Sequence, residues 1–245
     1  MRVVATLACR AESTRLYGKP LQQVGDRSIL DRIVSQLRGV SEIDEIVLAV
    51  ADTPSRNAFG HFASSRGLPM IVGPERDVLR RIIQAGDEGD ADHVVRVTTE
   101  NPFIYTENLS ELIRQHIGVG ADLSTTTMLP LGCAVEVVKL DALRRSHEHG
   151  SRRHRSELVT SYIYEHKADF KLEIANPPEN LRRPELRLTV DYPEDLIVVR
   201  GVEDKLPSNS DWDLENVIEI LDEHPHLIDL NSQYDDARDF LDRLR

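Results

Sequence analysis

Strand-like and helix-like segments alternate along this chain, and the alternation limits the folds that it can adopt. Short apolar runs at residues 3–8, 45–50 and 93–97 predict buried strands. Between them, apolar residues three or four positions apart predict helices, the first of which follows Ser28 as a capping residue. Because strands and helices take turns, we predict an α/β fold with a mostly parallel, mixed sheet flanked by helices.

The same patterns predict the other elements. Further strands are expected at residues 70–72, 122–127, 134–138, 170–174 and 186–190. Further helices are expected at residues 54–66, from Asp77, at 106–117, 141–149 and 156–165, from Pro193 and at 213–223. The sequence shows neither an internal repeat nor a long linker, so we predict a single domain over residues 1–245.

Composition excludes several classes of partner. The net charge of −12 argues against nucleic acid, and no apolar run approaches the length of a membrane span. The chain enters its first predicted strand without a signal-peptide pattern, and two cysteines are too few for a disulfide framework. We therefore expect a cytoplasmic protein that contacts neither a membrane nor nucleic acid.

A basic loop follows the first predicted strand. It places Arg10, Arg15 and Lys19 where open α/β sheets bind their ligands, and such cations suit a polyphosphate. The loop is not a P-loop, because Ser13 replaces the first glycine and Pro20 offers neither a hydroxyl nor an N–H. The alternative interpretation is a solvated basic loop without a ligand.

Two acidic residues lie just past predicted strands. Glu100 follows the strand at 93–97, and Asp191 follows the strand predicted at 186–190. Carboxylate oxygens are hard ligands that suit Mg²⁺, which a bound nucleoside triphosphate needs. Capping of a helix or a loop is the alternative role for either residue, particularly for Asp191, which precedes Pro193.

Four segments of the chain resemble one enzyme family. Residues 10–21 are similar to the pattern Ala-Arg-x-x-Ser-x-Arg-Leu-Pro-Gly-Lys-x-Leu, and residues 77–81 to Asp-Val-Leu-x-Arg. Residues 91–102 are similar to Ala-Asp-x-Val-Val-Arg-x-Thr-x-Asp-x-Pro, and residues 181–196 match the last block of the family. The chain thus resembles the cytidylyltransferases that activate acidic sugars, CMP-KDO and CMP-sialate synthetases among them, and within these the spore coat polysaccharide biosynthesis protein F group. The resemblance covers about residues 1–200.

This resemblance implies a nucleotide-diphospho-sugar transferase fold and a reaction. It implies Mg²⁺-dependent transfer of CMP from CTP to a small acidic sugar-like acceptor, with release of pyrophosphate, by a homodimer. It divides the domain into a nucleotide-binding half (1–130), an acceptor-binding and dimerisation half (131–205) and a helical tail (206–245).

The resemblance also implies roles for individual residues. The expected nucleotide-binding residues are Leu7, Ala8, Arg10, Ser13, Arg15, Lys19, Asp77 and Thr98. Arg10, Lys19 and Asp191 are the expected catalytic residues, and Glu100 and Asp191 the expected metal ligands. The expected acceptor-binding residues are Glu136, Arg155, Arg182, Arg183 and Arg187.

The chain departs from the family patterns at three places, and these leave alternatives open. Tyr17 replaces the loop proline, Glu100 replaces an aspartate, and residues 156–162 lack the Arg, His and Pro of the pattern Arg-Glu-His-Val-Thr-Pro-Tyr. One alternative is a nucleotidyltransferase that uses another NTP, or a phosphonate or sugar-phosphate acceptor. The other is a degenerate protein that binds a nucleotide without turnover.

Overall fold

The computed structural model describes residues 1–206 and 212–234, and a seven-stranded sheet lies at its centre. The strands are β1 (Val3–Cys9), β2 (Gln23–Val24), β3 (Arg27–Ser28), β4 (Glu45–Ala51), β5 (Met70–Gly73), β6 (His93–Thr98), β7 (Leu123–Thr126), β8 (Glu136–Lys139) and β9 (Leu172–Ala175). The sheet order is β5-β4-β1-β6-β8-β7-β9, while β2 and β3 form a separate hairpin. Only β8 pairs antiparallel with its neighbours in the large sheet, which confirms the predicted mostly parallel, mixed sheet.

Helices pack on both faces of this sheet. They are α1 (Ile29–Arg38), α2 (Arg56–Arg66), α3 (Val78–Glu88), α4 (Leu109–Val119), α5 (Leu140–His149), α6 (Ser161–Glu165), α7 (Pro193–Glu203), α8 (Leu214–Glu223) and α9 (Pro225–Asp229). The first face buries apolar side chains of α1, α2, α4, α7 and α8, and the second those of α3, α5 and α6. Two separate apolar cores result, one on each side of the sheet.

Strand β1 shows how the sequence produces the two cores. Successive side chains of a strand point to opposite faces, so Val3, Ala5 and Leu7 join the first core while Val4 joins the second. Nearly every residue of β1 is buried, as expected for a central parallel strand covered on both sides. The parallel pairing of β1 with β4 and β6 brings the carboxyl ends of the three strands to one edge, where the basic loop begins.

The strand predicted at 186–190 is wrong. The segment is extended but forms only an isolated bridge between Arg187 and Leu131, besides a hydrogen bond from the Val190 N–H to the Glu100 carbonyl. Its alternating apolar residues, Leu186, Leu188 and Val190, are buried in the first core. The alternation therefore reflects burial of one side of an irregular segment, which period alone cannot distinguish from a strand.

The helix predicted at 156–165 is also wrong in its first half. A 3-10 helix spans Arg152–Arg155, and the α-helix begins only at Ser161. The intervening segment is held to the sheet, because its Glu157 carbonyl accepts a hydrogen bond from Arg96. That contact replaces the local hydrogen bonds that would continue a helix.

Towards its carboxyl end the chain is helical where the structure describes it. Helix α8 confirms the helix predicted at 213–223, and Trp212 packs against Phe103 just before it. Of the predicted tail, residues 207–211 and 235–245 lie outside the described residues. Within the described part of the chain, no helix has both the length and the apolar character that crossing a membrane requires.

Candidate active site

The basic loop has a defined backbone. The Gly18 N–H donates a 2.8 Å hydrogen bond to the Ala11 carbonyl, and Gly18 itself has a φ of 68°, a left-handed conformation that favours glycine. Lys19 then begins a 3-10 helix (Lys19–Leu21) in which Pro20 is buried. Pro20, which excludes a P-loop, is thus compatible with this turn, because a fixed φ suits the first positions of a helix.

A large cavity of about 800 Å³ opens between this loop and the start of α3. Its volume lies within the range of small-molecule sites. It lies at the carboxyl ends of β1 and β6, and the basic loop supplies much of its wall. The wall includes Ala8, Arg10, Ser13, Arg15, Lys19, Arg81, Arg96, Thr98 and Glu100.

A smaller cavity of about 390 Å³ adjoins the first. One side of it consists of apolar and small residues of the turn between β7 and β8, among them Met128, Leu129 and Gly132. The other side is charged and contains Glu136, Arg187 and Asp191. Gly132 is required in this turn, because it has a φ of 99° and a Cβ there would lie 2.8 Å from the Thr189 nitrogen.

The two cavities share part of their walls. The residues that line both are Arg15, Lys19, Arg96, Thr98, Glu100 and Glu157, and we call this set the junction. Three cations and two carboxylates thus lie where a molecule in the large cavity would meet one in the small cavity. Such an arrangement suits a reaction in which a negatively charged group passes from one ligand to another.

Asp191 contacts cations from three directions. Its Oδ1 accepts hydrogen bonds from Lys19 Nζ at 2.6 Å and from Arg15 Nη2 at 3.0 Å, and its Oδ2 from Arg187 Nη2 at 3.3 Å. Burial opposes ionisation of this carboxyl, but Lys19 and the two arginines outweigh it, so the pKa of Asp191 lies below its usual range. The carboxylate is therefore charged at neutral pH.

A buried ion pair fixes the position of Asp191. Asp195, which is 1% exposed, accepts hydrogen bonds from Arg187 Nε at 2.9 Å and from Nη2 at 3.1 Å. The Asp195 carboxylate also accepts the backbone N–H of Asp191 at 2.9 Å and the side-chain amide of Asn231 at 3.0 Å. These contacts orient the Asp191 carboxylate towards the junction.

Glu100 supplies a carboxylate to the junction and lines the small cavity together with Asp191. Burial raises the pKa of Glu100 above its usual value, with Lys19 opposing and the nearby Asp191 charge adding to the rise. In the described residues, no group of three or more His, Cys, Asp and Glu side chains could hold a metal. Two carboxylates nevertheless fit Mg²⁺, which usually binds one or two protein carboxylates together with substrate phosphates and water.

Arg96 and Glu136 form an ion pair beside the junction. They lie opposite each other on β6 and β8, and Arg96 Nη1 donates to Glu136 Oε2 at 3.1 Å. Glu136 is 4% exposed and also accepts hydrogen bonds from the hydroxyls of Thr160 and Tyr164. Burial and the charge of Glu136 raise the pKa of Tyr164, which stays protonated as a donor.

The structure places most of the expected nucleotide-binding residues in the large cavity. Ala8, Arg10, Ser13, Arg15, Lys19 and Thr98 line it. Leu7 is buried in the first core, where alternate residues of β1 point away from the cavity. Asp77 caps α3 by accepting the Arg80 N–H, and its carboxylate is hydrogen-bonded to His147, so its side chain serves the helix terminus.

The expected acceptor-binding residues are divided. Glu136 and Arg187 line the small cavity, whereas Arg155, Arg182 and Arg183 are part of neither wall. Arg155 donates to the His147 carbonyl, Arg182 to the Pro177 carbonyl, and Arg183 contacts Asp222 and Glu185. The last three arginines therefore have protein partners away from the junction.

Sequence reasoning assigned no role to three features of the walls. They are Arg96, Glu157 and the turn between β7 and β8 with its left-handed Met128. Arg96 lies within the family block at 91–102, and its unusual place in an apolar strand was a signal for it. The cysteines are not candidates, because burial raises the pKa of both the Cys9 and the Cys133 thiol.

Comparison with known sequences shows the family to which the chain belongs. A family model described as cytidylyltransferase matches residues 4–225. An uncharacterized protein of Methanocaldococcus jannaschii is 30% identical over 232 residues, which cover 95% of each chain. The spore coat polysaccharide biosynthesis protein SpsF of Bacillus subtilis is 28% identical over 228 residues, 91% of this chain and 95% of its own.

Solved structures share the fold. A cytidylyltransferase from Leptospira borgpetersenii superimposes with a TM-score of 0.81 at 20% identity, over 93% of this chain and 95% of its own. A CMP-2-keto-3-deoxy-manno-octonic acid synthetase in complex with CTP gives a TM-score of 0.64 at 13% identity, over 84% of this chain and 99% of its own. The expected nucleotidyltransferase fold is thereby confirmed.

Proposed function

The chain belongs to the cytidylyltransferase family, as its motifs predict, and on that premise we propose that it transfers CMP from CTP to a small acidic sugar-like acceptor. As a member of that family it is a nucleotidyltransferase. The proposed reaction depends on Mg²⁺, releases pyrophosphate and serves the synthesis of a polysaccharide or another glycan. The similarity to a protein named for spore coat polysaccharide biosynthesis supports that role.

The observation that best supports this proposal is the junction between the two cavities. The large cavity, with its cationic loop, is proposed to hold CTP, and the small cavity the acceptor. An acceptor hydroxyl in the small cavity would then approach the α-phosphorus at the junction, beside Arg15, Lys19 and Glu100. Placing both reactants in one geometry is the main contribution a protein makes to phosphoryl and nucleotidyl transfer.

The protein's cations have distinct parts in the proposed mechanism. Arg10 and Ser13 line only the large cavity and would bind the outer phosphates, while Arg15 and Lys19 extend to the junction. Lys19 would offset the charge that passes to the departing pyrophosphate. Since the site already holds these cations in place, little reorganisation is needed as charge develops.

The proposed metal ligands are Glu100 and Asp191, whose carboxylates line the small cavity together. When bound, Mg²⁺ would neutralise the phosphate oxygens and lower the pKa of the attacking hydroxyl. Arg187 and Asp195 would keep the Asp191 carboxylate in place for that purpose.

The acceptor is proposed to be acidic because Arg187 and Arg15 line the small cavity. The apolar side at Met128 and Leu129 would contact the less polar face of a sugar ring. We further propose that the enzyme acts as a homodimer in the cytoplasm, where its nucleoside triphosphate is available.

Pyrophosphate release tests the proposal directly. The purified chain is incubated with Mg²⁺, each of the four NTPs in turn, and a panel of acidic sugars, phosphonates and sugar phosphates. Release with CTP and an acidic sugar is the expected result. Release with another NTP, or only with a phosphonate or sugar phosphate, would favour the alternative nucleotidyltransferase.

Thermal shift separates binding from turnover. We expect CTP with Mg²⁺ to raise the melting temperature more than the other three NTPs do, because ligand binding stabilises the native state. Equal shifts with all four NTPs would contradict the choice of cytidine. A shift with CTP but no pyrophosphate release with any acceptor would support a degenerate nucleotide-binding protein.

A further inference from the structure

We propose that Arg96 binds the α-phosphate of the nucleotide, as a third cation beside Arg15 and Lys19; this inference rests on the proposed function. Arg96 lies on β6, outside the basic loop, and lines both cavities. The register of the sheet pairs Arg96 with Thr6 of β1, two residues before the pair of Thr98 with Ala8. Arg96, Thr98 and Ala8 therefore lie on one face of the sheet, and all three line the large cavity.

The position of the reacting atoms leads to the α-phosphate. If the nucleotide occupies the large cavity and the acceptor the small one, the bond between them forms at the junction, and the phosphorus that is attacked must lie there. The cations of the junction are Arg15, Lys19 and Arg96. Of these, Arg15 and Lys19 contact Asp191, whereas Arg96 contacts a carboxylate on another strand.

Arg96 is held in place before any ligand binds. Its Nη1 donates to Glu136, and its Nη2 donates to the Glu157 carbonyl at 3.0 Å. Glu136 is in turn held by Thr160 and Tyr164, so the ion pair has little freedom to move. A guanidinium has five N–H groups, and these two bonds leave others for a phosphate oxygen. Because its side chain is already ordered, binding costs little conformational entropy.

The contrasting interpretation is structural. In that case Arg96 and Glu136 would only attach the segment from Glu157 to Tyr164 to the sheet, and their loss would weaken every ligand in the two cavities alike. Phosphate binding differs from this in one measurable respect. It affects only ligands that have an α-phosphate.

The test compares CMP with cytidine by isothermal titration calorimetry. The dissociation constant of cytidine divided by that of CMP measures what the α-phosphate adds to affinity. Removal of a charge-assisted contact is expected to reduce this ratio by about 10- to 100-fold. Affinities for cytidine and for pyrophosphate, which lack an α-phosphate, are expected to change by less than about twofold.

The variants are chosen to keep the protein folded. Loss of Arg96 alone would leave Glu136 buried without its cation, so the main variant is the double substitution Arg96→Met with Glu136→Gln. Arg96→Lys is the second variant; it retains the charge but loses the forked geometry, and we expect it to lose part of the ratio. The control is the double substitution Arg153→Met with Glu165→Gln, which removes an ion pair outside both cavities and should preserve the ratio in full.

Two results would overturn the inference. One is a full CMP-to-cytidine ratio in both Arg96 variants, and the other is an equal loss for CMP, cytidine and pyrophosphate, which is the structural outcome. A wild-type chain that binds neither CMP nor CTP would instead contradict the proposed function itself. The failure of the inference and that of the proposed function are therefore distinguishable.

Discussion

Lys19 Nζ lies 2.6 Å from Oδ1 of Asp191, although 172 residues separate the two along the chain. The pair joins the basic loop after β1 to the segment at Asp191, beside the junction. In the proposed reaction the two residues have different partners: the lysine contacts the phosphates of the nucleotide, and the aspartate binds the metal. Their mutual contact without a ligand keeps two opposite charges compensated until substrate replaces it.

We expect Asp191→Asn to reduce pyrophosphate release by roughly 100- to 1,000-fold, since a catalytic metal supplies several kcal/mol of stabilisation. Initial rates at saturating CTP and Mg²⁺ measure the effect. Asp222→Asn is the matched control, because Asp222 contacts Arg183 away from both cavities. Near-normal rates in Asp191→Asn would show that this carboxylate is not a metal ligand.

Lys19→Ala should lower kcat/KM for CTP by about 100-fold or more, because a cation aimed at developing charge is lost. The inhibition constant of pyrophosphate should rise in parallel, since the same ammonium would hold the product. Lys205→Ala, an exposed lysine outside both cavities, serves as control. An unchanged pyrophosphate constant would remove Lys19 from the triphosphate site.

Gly132→Ala should destabilise the protein by roughly 1–3 kcal/mol, because Gly132 has a left-handed φ and a Cβ would meet the Thr189 backbone at 2.8 Å. Urea unfolding measures the change. Gly118→Ala is the matched substitution: Gly118 lies in α4 with no atom near its Cβ position, so alanine should stabilise by about 0.5–1 kcal/mol. Equal effects of the two substitutions would contradict the close approach at Gly132.

Asp195→Ala should be among the most destabilising single substitutions, because it leaves Arg187 buried without its main partner. Breaking a buried pair in this way costs about 3–5 kcal/mol, which corresponds to a fall in Tm of roughly 10 °C. Glu185→Ala, at an exposed ion pair, should change Tm by little. Similar melting temperatures for the two variants would argue that Asp195 has no such structural role.

Stability should fall with acid through a buried histidine pair. His116 is fully buried, with Nδ1 hydrogen-bonded to Ser124 and Nε2 to His93, and burial lowers the pKa of His116 to about 4. The unfolded chain therefore binds a proton near pH 6.5 that the folded chain binds only near pH 4. The native state is fully favoured above pH 6.5 and loses on the order of 3 kcal/mol as the pH falls through that interval.

This pH dependence is measured against a variant that cannot titrate. In His116→Gln the free energy of unfolding should fall less steeply between pH 6.5 and pH 4 than in the wild type. His61→Gln, at an exposed histidine, should retain the wild-type slope. Parallel profiles for all three proteins would exclude His116 as the source.

Where sequence prediction succeeded, the signal was local. The strands at β1, β4 and β6 were predicted from short apolar runs, and α1 was predicted from its Ser28 cap and apolar spacing. The structure confirms all four elements. In the segment 186–190 the same signal failed. Burial of alternate residues produced the strand pattern there, yet within the described residues the segment forms an isolated bridge to Leu131 and no continuous ladder.

Prediction of the site likewise succeeded for residues within local motifs and failed for contacts between distant segments. The basic loop and Asp191 were predicted because their motifs are continuous in sequence, and the structure brings them into contact. Arg155, Arg182 and Arg183 have the same chemistry but lie outside both cavities. They were wrongly expected at the site because local composition does not determine which surface an arginine faces. Arg96 received no role, since its partner Glu136 lies 40 residues away on an antiparallel strand.

The sequence by itself determined the mostly parallel α/β fold and the cationic loop, because hydrophobic period and short motifs are properties of neighbouring residues. The tertiary structure alone decided that Lys19 meets Asp191, that Arg96 meets Glu136, and that residues 156–159 leave the helical path to line the cavities. These arrangements depend on sheet order and on packing between distant segments. Contacts of that kind arise only when the whole chain buries its two cores together.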